Sequence, residues 1–70
     1  MVSSGARDFP TVSGEDDARA LARAMGNRSW VPNSFNSFNI TVGGHGFRVQ
    51  ILWGSRIGHG DHVHVGIGAL

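Results

Sequence analysis

The stretch GHGDHVHVGI, residues 58–67, ends in a run that alternates polar and apolar side chains. Successive side chains of a β-strand point to opposite faces, so Val63 and Val65 share one face. His62 and His64 share the other. We therefore expect a half-buried strand whose apolar face meets a core and whose polar face presents two imidazoles.

Two further runs of period two lie upstream of this stretch. One covers residues 38–42 and the other residues 47–53, and a glycine-rich turn at residues 43–46 separates them. Two alternating runs on either side of a short glycine turn predict a β-hairpin. Their apolar positions are Phe38, Ile40, Val42, Phe47, Val49, Ile51 and Trp53.

An amphipathic helix is predicted over residues 14–25. Ser13 is a suitable N-cap, and three acidic residues follow it in the first turn, where the helix dipole favours negative charge. Gly26 supplies a C-terminal stop. The apolar side chains recur at helical spacing, at Ala18, Leu21, Ala22 and Met25.

Together these elements predict a small α+β fold, with one N-terminal amphipathic helix packed on a three-stranded, mainly antiparallel sheet. Residues 1–12 show no period and are expected to form a flexible tail, whereas residues 13–70 are expected to form a single domain. The loop between the helix and the hairpin carries Trp30 and Phe35, which are expected to fold onto the core.

The composition narrows the class of protein. The 70 residues include six scattered arginines, no lysine and no cysteine, with a formal net charge of +1. Scattered charge argues against a nucleic-acid partner, and the chain has neither an apolar run long enough to span a membrane nor a signal peptide. A domain this small is expected to gain stability from a metal, a partner chain or self-association.

The polar face of the last predicted strand is a candidate metal site. His62 and His64 lie about 7 Å apart along such a strand, and His59 and Asp61 lie in the loop that leads into it. Imidazole and carboxylate are the usual non-thiolate ligands of zinc, so zinc is the predicted cofactor. The alternative is a pair of solvated histidines on a purely structural strand.

Other polar and aromatic residues near this face are candidate substrate contacts. Trp53 could offer an aromatic surface, although a core position is the alternative. Arg48 and Arg56 lie near the polar face, where either could bind a carboxylate or remain solvated, and Arg56 is the predicted contact. His45 falls in the glycine turn and is interpreted as a loop residue.

The run VQILWGSRIGHGDHVHVGI, residues 49–67, resembles the C-terminal part of the LAS metallopeptidases, especially the peptidase M15-like and murein-endopeptidase-like domains of phage endolysins and tape-measure proteins. The likeness lies in Trp53, in Arg56 and in Asp61-His62-Val63-His64-Val65. It implies that His64 binds zinc, that His62 is the catalytic histidine, and that the substrate is a peptidoglycan peptide. The sequence itself indicates no location, and a phage virion or the bacterial cytoplasm before lysis would be consistent with this resemblance.

Enzymes of that group take two more zinc ligands, a histidine and an aspartate, from an upstream segment. This chain has no histidine before residue 45, and Asp8 and Asp16 lie in the predicted tail and at the helix start. Three interpretations stay open: a C-terminal part of a larger site, an inactive remnant, or an unusual site built from all four histidines. A non-catalytic phage structural or cell-wall-binding module is the alternative function.

Overall fold

The computed structural model describes residues 5–10 and 13–70. The elements found there are β1 Gly5–Pro10, α1 Gly14–Ala24, β2 Ser37–Val42, β3 His45–Gly54 and β4 His59–Ala69. The strands form one antiparallel sheet in the order β1-β4-β3-β2, and α1 packs against β3 and β4. A single 3-10 turn, Ser55–Ile57, joins β3 to β4.

The predicted three-stranded sheet is wrong, because a fourth strand, β1, lies beside β4. Strands hold 51% of the described residues and helix 22%, so the sheet dominates the molecule. β1 comes from the segment predicted to be a flexible tail; the rest of that segment, residues 1–4 and 11–12, lies outside the described residues. The sequence of β1 shows no alternation, and no hairpin turn marks it, because its ladder partner β4 is distant in the chain.

The β2–β3 hairpin is present, with a tighter turn than predicted. Val42 pairs with His45, so only Gly43 and Gly44 connect the two strands. Both glycines have positive φ, 57° and 80°, which is the backbone of a two-residue type I′ turn. His45 and Gly46, which we expected in the turn, therefore belong to β3.

The core lies between α1 and one face of the sheet. α1 begins at the predicted residue and ends one residue before the predicted end. Its buried face is formed by Ala18 and Ala22, whose small side chains let the helix lie close to the sheet. Val49, Ile51 and Val63 complete the core from the strands, and burying each contributes about 1.5–3 kcal/mol.

The loop after α1 contributes one of its two aromatic residues to the core. Trp30 is 5% exposed, and its indole N–H donates a hydrogen bond to the carbonyl oxygen of Ile51 at 2.7 Å. The buried polar atom of this side chain is therefore satisfied. Phe35 was expected in the core as well, but it stays 62% exposed.

Gly14 forms the first turn of α1 directly against the indole ring of Trp53. A Cβ atom built on Gly14 would lie 1.8 Å from Nε1 of Trp53, well inside van der Waals contact. The missing side chain therefore allows the ring to pack against the helix start.

No helix among the described residues has the length and apolar character needed to cross a membrane.

We expect Gly14→Ala to lower the free energy of unfolding by about 1–3 kcal/mol, the usual cost of overpacking. Urea denaturation followed by circular dichroism measures this change. Gly5→Ala is the matched control, because a Cβ atom there meets nothing within 4 Å, and its effect should stay within about 0.5 kcal/mol. If Gly14→Ala stabilised the protein, as helix propensity alone predicts, the packing of Trp53 on the helix start would be contradicted.

Candidate functional site

Titratable side chains gather on the exposed face of the sheet. The side chains of β4 alternate between the two faces of the sheet, as its sequence predicts. Val63 is buried in the core, and His62 and His64 lie on the other face. β1 places Asp8 directly opposite His64 in the ladder. The Nδ1–H of His64 donates a hydrogen bond to Oδ1 of Asp8 at 2.6 Å, across a separation of 56 residues.

Each histidine of this group uses Nδ1 in a hydrogen bond to an oxygen acceptor. His59 donates to the carbonyl oxygen of Ile57 at 2.7 Å, and His62 donates to Oδ1 of Asp61 at 2.7 Å. A carbonyl or a carboxylate oxygen only accepts, so the proton lies on Nδ1 in all three rings. Nε2 of each neutral ring is then left with a free lone pair. We call His59, His62, His64, Asp8 and Asp61 the histidine cluster.

The three imidazole rings of the histidine cluster are close to one another. The ring centroid of His59 lies 4.9 Å from that of His62 and 5.4 Å from that of His64. Two imidazoles bound to one tetrahedral zinc ion have centroids about 5 Å apart, given zinc–nitrogen bonds of about 2.0–2.1 Å. Phe35 borders the group with its ring edge-on to His59, at 6.4 Å between centroids.

The imidazoles hold both carboxylates of the histidine cluster in their ionised form. The pKa of Asp8 is lowered chiefly by the hydrogen bond from His64. Desolvation is the next largest effect and opposes this shift, while electrostatic interactions with the histidines lower the pKa further. The pKa of Asp61 is lowered by the hydrogen bond from His62 and by its own backbone N–H. Asp8 also approaches His62, with 3.9 Å between Oδ2 and Nε2.

The histidine cluster has donors that suit zinc, but they do not converge in this conformation. Among the residues that the structure describes, no group of three or more histidine, cysteine, aspartate or glutamate side chains is arranged to hold a metal ion. The proton shared by His64 and Asp8 lies between two of the best-placed donor atoms. Imidazole nitrogen and carboxylate oxygen are chemically suited to zinc. Binding through Nδ1 of His64 would require its proton to move to Nε2 and the side chains to rotate.

A hydrogen-bonded loop fixes the entry to β4 and so the position of His59. Asn33 adopts a left-handed backbone conformation, φ 57°, which asparagine tolerates better than most residues. Its backbone N–H donates to the carbonyl oxygen of Trp53 at 2.8 Å, and its Oδ1 accepts from the backbone N–H of Arg56 at 3.0 Å. The 3-10 turn before β4 is thereby tied to the loop after α1.

The structure brings together four of the six residues predicted to form the site: His59, Asp61, His62 and His64. Trp53 instead packs on the helix side of the sheet. The Arg56 side chain is exposed on the 3-10 turn. His45 lies at the opposite end of β3 from the strand end that pairs with His59.

Asp8 is the residue that the sequence pattern failed to identify. It was placed in the predicted tail, since neither periodicity nor a turn signal marks β1. The only sequence signal for Asp8 was that it is one of few acidic residues in a chain with a histidine-rich strand. Only the pairing of β1 with β4 shows that this carboxylate meets His64.

Comparison of the chain with protein-family models, with curated proteins and with solved structures found no match. The function is therefore inferred from the geometry of the histidine cluster.

Replacing His64 by alanine should raise the pKa of the Asp8 carboxyl group towards its ordinary value. Since the folded-state pKa is depressed, ionised Asp8 stabilises the fold fully above its unfolded pKa of about 3.9, and this contribution is lost as the pH falls through the depressed value. Carboxyl ¹³C NMR titration measures the change, with His45→Ala as the control. An unchanged pKa of Asp8 in His64→Ala would show that this hydrogen bond is absent in solution.

Proposed function

We propose that this protein is a zinc-dependent hydrolase of peptide amide bonds. The observation that carries the proposal is the hydrogen bond between Asp8 and His64, with the rings of His59 and His62 beside it. Peptidoglycan peptides are the proposed substrate class. They are what the likeness of residues 61–65 to the LAS metallopeptidases implies.

Asp8, His64 and His59 are the proposed zinc ligands. Nδ1 of His64 and Oδ1 of Asp8 face each other at 2.6 Å, so a cation can replace the proton that they share. His59 offers Nε2, because its Nδ1–H is committed to the carbonyl oxygen of Ile57. A hydrogen bond from the other ring nitrogen to a carbonyl or carboxylate is the usual support of a metal-binding histidine.

Asp61 was predicted as a zinc ligand, and its contacts favour a different role. Its side chain is 94% exposed, and its Oδ1 accepts the Nδ1–H of His62. A carboxylate in this position orients the imidazole and stabilises its protonated form. We therefore propose Asp61 as the residue that positions His62.

His62 is the proposed general base and acid. Its Nε2 carries the free lone pair, and Asp61 holds the ring in the required tautomer. In the hydrolysis Nε2 accepts a proton from the attacking water, whose oxygen adds to the amide carbonyl carbon. Nε2 then returns the proton to the departing amine as the carbon–nitrogen bond breaks. Zinc, where bound, acts as a Lewis acid that polarises the carbonyl group and lowers the pKa of nearby water.

A non-catalytic module that self-associates or docks on a partner is the second candidate. Within the described residues β2 has no neighbour on its outer side, and Val42 on this edge is 58% exposed. Unpaired sheet edges with exposed apolar side chains favour pairing with another chain. Sedimentation equilibrium over a range of concentrations tests self-association. A metal-free protein that stays monomeric would argue against the self-associating form of this module.

We expect the wild-type chain to bind one zinc ion near neutral pH, with an affinity that falls below about pH 6 as imidazoles take up protons. Isothermal titration calorimetry measures the binding. His64→Ala should abolish it and His59→Ala should weaken it strongly, whereas His45→Ala should retain it. Calorimetry in buffers of different ionisation enthalpy should show proton release that grows as the pH is lowered towards about 6. Only protonated imidazoles must lose a proton to bind zinc, whereas a neutral His64 ring moves its proton from Nδ1 to Nε2.

Two results would overturn this metal site. One is the absence of saturable zinc binding in the wild type near neutral pH. The other is zinc binding that survives His64→Ala, which would assign any metal to another part of the chain.

In the zinc-loaded protein, His62→Ala should lower kcat for a peptidoglycan stem peptide by about 10²–10⁴-fold, the usual contribution of a general acid–base group. Its KM and its zinc affinity should change little. Amine release followed by a fluorogenic label measures the rates, with His45→Ala as the control. Loss of zinc from His62→Ala would instead make His62 a ligand.

A further inference from the structure

A depression in the exposed face of the sheet begins beside the histidine cluster. It is shallow and wide open to solvent, with a volume of about 680 Å³. It exists because the strands carry almost no side-chain volume there. The small residues that line it are Gly5, Ala6, Ser37, Gly66 and Gly68.

His64 borders one end of this depression. A Cβ atom built on Gly66 would lie 3.9 Å from Nε2 of His64, at ordinary contact distance. The imidazole therefore leans over the glycine floor, and a group resting on Gly66 would touch the ring of His64. The depression is continuous with the proposed catalytic site.

Arg48 borders the other end. Arg48 pairs with Gly68, and Leu52 pairs with His64. Arg48 therefore lies four positions along β3 from the residue that faces His64. At a strand rise of about 3.3 Å per residue this separation is about 13 Å. Gln50 lies between them and lines the depression as well.

The guanidinium of Arg48 has no acidic partner among the described residues. The ion pairs found there join Arg19 to Glu15, and histidines to Asp8 and Asp61. An exposed arginine that ends a depression without a carboxylate partner offers a planar pair of donors to an incoming carboxylate.

We propose that this depression binds an extended peptide whose carboxylate pairs with Arg48. The choice of a peptide rests on the proposed peptidase function. An extended chain advances about 3.3–3.6 Å per residue, so about four residues reach from the histidines to Arg48, and fewer if the arginine leans back along the floor. The glycines let the peptide backbone lie directly on the sheet.

The proposed occupant carries a carboxylate, which in a peptide comes from the C-terminus or from an acidic side chain. Three N-acetylated probes separate these sources: tetra-alanine with a free C-terminus, its C-terminal amide, and the amide with one alanine replaced by glutamate. Binding is followed by ¹H–¹⁵N NMR of the full chain without added zinc, so that the probes are not cleaved. The signals of Gly66 and Gly68 report occupation of the floor.

We expect the free acid to bind about tenfold more tightly than the simple amide, the usual effect of one charge-assisted hydrogen-bonded pair. Arg48→Gln should remove this preference while leaving the affinity for the amide unchanged. Arg28→Gln is the matched control, because Arg28 is an exposed arginine outside the depression. Gly66→Ala should weaken all three probes, since its methyl group takes up part of the floor. A glutamate amide that matches the free acid would assign the carboxylate to a side chain.

Several results would overturn the proposal. They are equal affinity of the wild type for acid and amide, a preference that survives Arg48→Gln, and a preference lost in Arg56→Gln instead. Probes that leave Gly66 and Gly68 unshifted would also overturn it. The zinc titration is independent of these measurements, so failure of the zinc site would leave the carboxylate preference intact, and failure of the carboxylate site would leave zinc binding intact.

Discussion

The alternation of side chains along β4 is the constraint on which the rest of the structure depends. β4 pairs with β1 on one side and with β3 on the other, so its register sets the register of both neighbours. A shift of one residue would turn Val63 away from the helix and bury His62 in its place. Burial of an unpartnered imidazole is unfavourable, and so is exposure of the valine. The core and the histidine cluster are therefore fixed by the same choice of register.

The cluster is complete only when β1 joins the sheet, because Asp8 is the carboxylate that faces His64. The two residues are 56 positions apart, and closing so long a segment costs conformational entropy that local contacts do not repay. Backbone hydrogen bonds along the β1–β4 ladder and the charge-assisted bond from His64 act together to hold β1 in place. A cation that replaces the shared proton would act on that same contact, which links occupation of the site to docking of β1.

Local patterns predicted the parts of the fold whose cause is local. The helix at residues 14–24, the hairpin, and the two faces of β4 follow from periodicity and from turn residues. β1 could not be predicted in this way, because its six residues do not alternate and no short turn links it to β4. Its Pro10 is tolerated because β1 lies at a sheet edge. The same difference applies to the site. The histidines of β4 and the polar-face position of Arg48 were recognisable from spacing, whereas Asp8 acquires its position from strand pairing across the sheet.

Two glycines of β4 weaken the strand but leave the exposed face of the sheet open above them. Gly66 and Gly68 occupy a strand with neighbours on both sides, where β-branched side chains would pack better and where glycine weakens the strand. Larger residues at these positions would fill the floor between His64 and Arg48. The pairing of β4 on both sides offsets this loss, since its backbone groups are satisfied by two ladders. The strand therefore presents histidine side chains at one end of its polar face and bare backbone at the other, so a peptide that lay against this face of the sheet would reach the histidines.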